Sequence, residues 1–221
     1  MRYVLTLVVG ICLLTMSTGA MAGWVDYQDV NRDIAVSFGD ESTGLHDEQD
    51  GFWFATLEQG NALGMVRSHQ ISDLSDAGLS FQSDTSASGG LFDGERSGQS
   101  TLGTTLALGT DVTVDLHWSY LLSLEGAGHG GAGLRIMDMD GTSLIDIDLQ
   151  FPGEMSATSE LELASGSYMI EMYLDAGVEP GSAGSAYTEF EVSMAYTLVP
   201  APGTLALLGA LLLPMASRRR S

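Results

Sequence analysis

Lysine is absent from this chain of 221 residues, and cysteine occurs once, as Cys12. All eight basic residues are therefore arginine. Arg2 stands near the start, and Arg218, Arg219 and Arg220 near the end. The stretch 23–198 keeps only Arg32, Arg67, Arg96 and Arg135, and it holds all 29 acids, so its formal charge is 4 − 29 = −25. A surface of that sign repels polyphosphates and anionic lipid, which excludes nucleic acid as a partner. Salt or divalent cations outside a cell would screen its self-repulsion. The shortage of thiols excludes a disulfide framework, a thiolate metal site and a cysteine nucleophile, so packing has to supply the stability. Proline is scarce (5) and glycine frequent (28), a balance that leaves extended runs unbroken and supplies their turns.

What is present begins with an address. Arg2 precedes an apolar run from Tyr3 to about Leu14, and small and polar residues then end in Ala20-Met21-Ala22 before Gly23. Residues 1–22 thus read as a secretory signal peptide, with Ala20 and Ala22 forming the cleavage box ahead of Gly23. Cys12 lies between Ile11 and Leu13 within the run, which is not the setting of a lipid-modified cysteine.

The stretch 23–198 is patterned for β-structure in one domain. From Asp111 to Leu124, Val112, Val114, Leu116, Trp118, Tyr120, Leu122 and Leu124 alternate with polar residues, which predicts a strand with one buried face. A hairpin is expected around Asp140-Gly141, with both central residues at positive φ, joining Leu134–Met137 to Leu144–Leu149. Further strands are expected at Glu160–Leu163, Tyr168–Leu174 and Tyr187–Leu198. The first half offers Ile34–Phe38, Phe52–Leu57 and Leu79–Phe81, with Ser83–Ser100 as a long polar loop. About ten short strands with turn signals between them predict an all-β, antiparallel, jelly-roll-like sandwich.

Signals of chemistry are sparse. Asp40-Glu41, Asp47-Glu48-Gln49-Asp50 and Asp138-Met139-Asp140 could offer oxygen ligands to Ca²⁺, against a plainer reading as solvated loops and a hairpin turn. His46, His69, His117 and His129 lack the spacing of a zinc site and read as surface residues, His129 within a glycine-rich loop. No nucleophile elbow occurs, and the glycines between Gly126 and Gly133 lack the lysine and helix of a phosphate cradle. A pair of catalytic carboxylates would leave no local signature in a sandwich. Trp53 and Trp118 are expected in the core and Trp24 as a loosely held terminal residue.

The end of the chain carries the clearest motif. Val199-Pro200-Ala201-Pro202 leads into an apolar run from Thr204 to Ala216, and Arg218, Arg219 and Arg220 follow. As a helix of about 13–15 residues the run spans ~20–23 Å against a hydrocarbon core of ~30 Å. It reads as a short transmembrane helix with its arginines on the cytoplasmic side. Residues 199–221 resemble the PEP-CTERM sorting signal of exported Gram-negative proteins, with Ala201 standing where that family usually has glutamate. The resemblance implies recognition by an exosortase, cleavage near Pro200 and Pro202, and delivery to the cell surface or extracellular matrix. With the signal peptide it implies passage through the Sec translocon and a transient stay in the inner membrane. The expectation is a non-enzymatic structural or adhesive protein with no cofactor, or Ca²⁺ at most, and with exopolysaccharide as a candidate partner. A secreted carbohydrate-binding module is the alternative, and a secreted hydrolase a more distant one.

Overall fold

The computed structural model describes residues 24–91 and 94–199. The expected signal peptide with Ala20, Ala22 and Gly23, and the expected sorting segment from Pro200 through Ala201, Pro202 and Arg218–Arg220, lie outside the described residues. So does the short helix expected over Thr204–Ala216. Among the described residues no helix is long and apolar enough to cross a membrane.

The described chain is all β. Its strands are β1 (Val25–Gly39), β2 (Glu41–Asp47), β3 (Gly51–Asn61), β4 (Gly64–Ser75), β5 (Gly78–Gly89), β6 (Glu95–Leu108), β7 (Val112–Gly126), β8 (Gly128–Asp138), β9 (Ser143–Leu149), β10 (Gly153–Leu163), β11 (Gly166–Val178) and β12 (Gly184–Leu198). Two six-stranded antiparallel sheets face each other. Sheet I runs β2-β1-β6-β11-β8-β9 and sheet II runs β10-β7-β12-β5-β4-β3. From β5 onward the pairing is nested: β5 with β12, β6 with β11, β7 with β10 and β8 with β9. That is a long hairpin wound over itself, the double Greek-key plan of a jelly roll. The four leading strands widen both sheets on the same side, β1 and β2 beside β6, β4 and β3 beside β5.

The expected strand at Asp111–Leu124 is β7, and its alternate residues from Val112 to Leu122 point into the sandwich. The hairpin at Asp140-Gly141 is present, but its turn differs from expectation. Only Gly141 has positive φ (82°), and Gly141 N–H donates to the Asp138 carbonyl at 3.0 Å. The Asp138 carboxylate accepts from the N–H groups of Asp140 (3.0 Å) and Thr142 (2.8 Å), and this local capping holds the turn.

The expected loop at Ser83–Ser100 is the larger correction. It holds the second half of β5 and the first half of β6. Its inward polar side chains among the described residues are Ser83, Thr85, Arg96 and Ser100, all fully buried. They belong to a polar seam between the sheets. Ser68 Oγ donates to the Gln99 carbonyl (2.9 Å), Ser100 Oγ to Gln70 Oε1 (2.7 Å) and Thr188 Oγ1 to the Asp175 carbonyl (2.7 Å), each bond crossing from one sheet to the other. Each such bond contributes about 0.5–1.5 kcal/mol net, whereas an unpaired buried hydroxyl would cost about 1–3 kcal/mol.

Apolar packing divides around that seam. The main cluster includes Phe81, Leu102, Leu106, Leu116, Tyr120, Leu134, Ile170, Phe190 and Met194. A smaller one contains Val36, Phe38, Val66, Ala87 and Val178. Trp24 is not loosely held. It is 9% exposed and meets Tyr196 edge-on at 6.4 Å, while Tyr27 Oη donates to Tyr196 Oη at 3.0 Å. Burial raises the Tyr196 phenol to about 12. Trp118 is partly buried against the main cluster, as expected. Trp53 belongs to neither cluster: on the edge strand β3, Ala55 is buried and Leu57 packs on the smaller cluster, while Trp53 is only partly covered.

Candidate functional site

In an antiparallel sheet, residues directly opposite one another share a face, so register alone lays out the outer surface of sheet II. One row crosses all six strands as Phe54, Ile71, Gln82, Glu191, Ser119 and Ser156. The next reads Phe52, Asp73, Ser80, Ser193, His117 and Thr158. With ~4.8 Å between strands, each row is about 24 Å long. Phe52 is 70% exposed and Phe54 59%, which is a large apolar area to leave in water. Phe54 meets the His69 ring edge-on at 5.2 Å, and His69 Nδ1 lies 2.8 Å from Asp84 Oδ1.

Of the depressions along these rows, two meet at His117. One, of about 180 Å³, is lined by Ile71, Ser80, Gln82, His117, Glu191 and Ser193. The other, of about 490 Å³, is more open and is lined by Asp115, His117, Thr158, Glu160 and Ser193 among others. They share His117 and Ser193, so they form one interrupted trough that reaches Ile71 of β4, and Phe54 stands opposite Ile71 on β3. Hydroxyl, amide, imidazole and carboxylate groups line it, and all of them can exchange hydrogen bonds with a polyhydroxylated ligand.

The outer face of sheet I offers a second polar cluster. Tyr173 Oη donates to Asp148 Oδ1 at 2.7 Å, and its ring lies across Gly133, where a Cβ would come within 2.7 Å of the ring's Cζ. Arg135 reaches Asp146 (3.4 Å) and Glu171 (3.8 Å). Burial, reinforced by the Asp148 charge, pushes the Asp175 carboxyl above its ordinary range, while His129 opposes the shift. A carboxyl with a raised folded-state pKa weakens the fold as pH climbs from the unfolded value through the folded one, and the penalty then persists. Asp175→Asn should therefore raise the melting temperature at pH 7 and leave it unchanged at pH 3, which two thermal melts would check.

Several members of the expected acid clusters have partners within the fold. Asp47 pairs with Arg32 at 3.0 Å, and Arg32, fully buried, also donates to the Gly51 carbonyl at 2.6 Å. Glu41 accepts from Gln59 at 3.0 Å, and Asp138 holds its own turn. Among the described residues no group of three or more histidine or acidic side chains is placed to hold a metal ion. Of the histidines, His46 bridges Glu48 and Asp33, whose hydrogen bonds raise its pKa, and His69 is largely covered. His129 stands in β8 rather than in a loop, and His117 sits in the trough. The sequence signal for the phenylalanine pair was available. In Phe52-Trp53-Phe54 strict alternation sends the two phenylalanines to one face and Trp53 to the other, so both faces cannot be core.

No protein family and no curated protein matches the chain. Among solved structures it is similar to the enzymatically active domain of tailspike protein 4 from bacteriophage CBA120, at a TM-score of 0.24 and 14% identity, covering 66% of this chain and 19% of that one. It is similar also to a structure of infectious bursal disease virus, Gx strain, at a TM-score of 0.23 and 12% identity, covering 86% and 73%. A third likeness is to the D431N mutant VP2 protein of that virus, at 0.21 and 11%, covering 78% and 63%. Likenesses this slight leave the architecture to rest on the strand order itself.

Proposed function

We propose that this is an exported structural or adhesive protein of the cell surface or extracellular matrix, and that the outer face of sheet II holds polysaccharide. The exposed pair Phe52 and Phe54 beside a polar trough carries the reading. An aromatic ring packs against the C–H face of a sugar while neighbouring amides, hydroxyls and carboxylates take its hydroxyl groups. The trough's charged lining is mostly acidic (Asp115, Glu160, Glu191), and the chain around it carries a large negative charge. Neutral or amine-bearing polysaccharide is therefore favoured over carboxylated polysaccharide. A carbohydrate-binding module with a selective groove is the second reading, and the same residues support it.

Affinity electrophoresis through gels containing a neutral glucan, chitosan or alginate tests the reading. Retardation is expected in the first two and not in alginate. The double substitution Phe52→Ala and Phe54→Ala should abolish it while leaving the melting temperature nearly unchanged, since both rings are exposed. Equal mobility in all three gels would overturn it.

Routing rests on the two ends of the sequence. Residues 1–22 are removed on export, residues 199–221 act as a PEP-CTERM-like signal, and an exosortase-type protease cuts near Pro200 and Pro202. Intact-mass measurement on surface-localised protein should then lack both segments. Retention of Arg218–Arg220 in that material would overturn the sorting claim.

A further inference from the structure

We infer that Arg32 and Asp47 form an acid-released clasp, which holds the start of β3 in the sandwich and lets residues 51–54 come away once Asp47 takes up a proton. The crossover 48–50 carries the chain from sheet I to sheet II, and one guanidinium holds both of its ends. Arg32 Nη1 donates to Asp47 Oδ2 at 3.0 Å, at the last residue of β2. Its Nη2 donates to the Gly51 carbonyl at 2.6 Å, at the first residue of β3. Arg32 is fully buried, and its Nε has no partner among the described residues. A guanidinium keeps its charge at any ordinary pH. Asp47 balances that charge and is 21% exposed, so a proton can reach it. Neutralising one member of a buried pair leaves the other uncompensated, which is strongly destabilising. Water is the nearest relief, and β3, paired on one side only, is the strand that can admit it.

The surrounding charges decide where the clasp gives. Asp73 of β4 and Asp50 of the crossover also attract Arg32, but neither is paired with it. On the outer side, hydrogen bonds from Glu48 and Asp33 raise the His46 pKa, so falling pH first charges His46 and tightens β2 onto β1. At the far end of β3, Gln59 is tied to Glu41 of β2 at 3.0 Å. Opening therefore falls on the start of β3. Over the rest of the chain, acid relieves the self-repulsion of a body with formal charge −25. A loss of order confined to residues 51–54 thus runs against the trend of the molecule. Gly51 leads into Phe52, so acid should also loosen the sugar-holding face, a consequence that rests on the reading proposed above.

Hydrogen exchange on the full chain tests the clasp, with protection factors compared at pH 7 and pH 2.5. Protection of amides 52–54 should fall about tenfold or more in acid relative to β7 amides. Asp47→Asn keeps the shape and deletes the charge, and it should show that loss already at pH 7. Combining it with Arg32→Met removes both charges and should restore protection at either pH. Circular dichroism melts establish that the variants fold, and the wild-type comparison needs no variant. A wild-type chain whose residues 52–54 stay equally protected in acid overturns the inference. So does Asp47→Asn with wild-type protection at pH 7, or a double variant as acid-labile as wild type. In the glucan gel, retention of wild type should weaken in acid and that of the double variant should not. Protection that follows the clasp, with no retention in any gel, upholds the clasp and defeats the sugar reading.

Discussion

Arg96→Ala should lower the unfolding free energy by about 2–4 kcal/mol, seen in urea denaturation as a lower midpoint with an unchanged slope. Arg96 is fully buried in β6, opposite Phe38 of β1 and Val178 of β11. Its guanidinium donates to the carbonyls of Gly90 (2.8 Å) and Ser182 (2.6 Å), and more weakly to Glu179 (3.5 Å). Gly90 follows β5, and Glu179 and Ser182 lie between β11 and β12, so one side chain ties two connections to the end of the sandwich. Alanine would take the Arg96 donor from the Gly90 and Ser182 carbonyls, while Glu179 keeps the bond from Ser182 N–H, and it would open a cavity beside the smaller apolar cluster. Arg96→Met separates the two effects, since it restores much of the volume without any donor. If methionine recovers all the lost stability, the hydrogen bonds contribute nothing net and this account fails.

Phe190→Ala should cost about 3–5 kcal/mol, a large share of the roughly 5–15 kcal/mol by which domains of this kind are stable. Phe190 is fully buried near the middle of β12 and meets Phe81 edge-on at 6.4 Å with an interplanar angle of 65°. The pair geometry adds about 0.5–1.5 kcal/mol beyond burial. A double-mutant cycle with Phe81→Ala should return a coupling of that size. Strands press on Phe190 from both sides, which limits relaxation into the cavity. Phe190→Leu should cost much less.

Sequence patterning revealed those parts of the sandwich whose inward residues are hydrocarbon. β7 was legible because valine, leucine and aromatics alternate with polar residues over its length. β4, β5 beyond Phe81, and β6 before Leu102 were not. Most of their inward positions are polar (Ser68, Gln70, Ser72, Ser83, Thr85, Arg96 and Ser100), so the strands alternate in direction with little alternation in hydropathy. A buried hydroxyl facing a buried hydroxyl looks, in sequence, like a loop. Trp24 is buried and Trp53 only partly so for a related reason. Burial follows the neighbours a strand acquires, and β3 acquired neighbours on one side only. The trough was invisible, because its rows join residues more than a hundred positions apart.

The nested pairing has a mechanical consequence. β12, the last strand, lies in the interior of sheet II, paired with β5 from Gly184 to Ala195 and with β7 from Gly184 to Leu198. Hydrogen bonds in antiparallel ladders stand perpendicular to the strands. A pull on Leu198 along β12 therefore loads both ladders in shear, and their bonds must yield together rather than one by one. Resistance to such a pull is governed by the rate of unfolding, not by equilibrium stability. A body held by its C-terminal end would thus bear load through its best-braced strand.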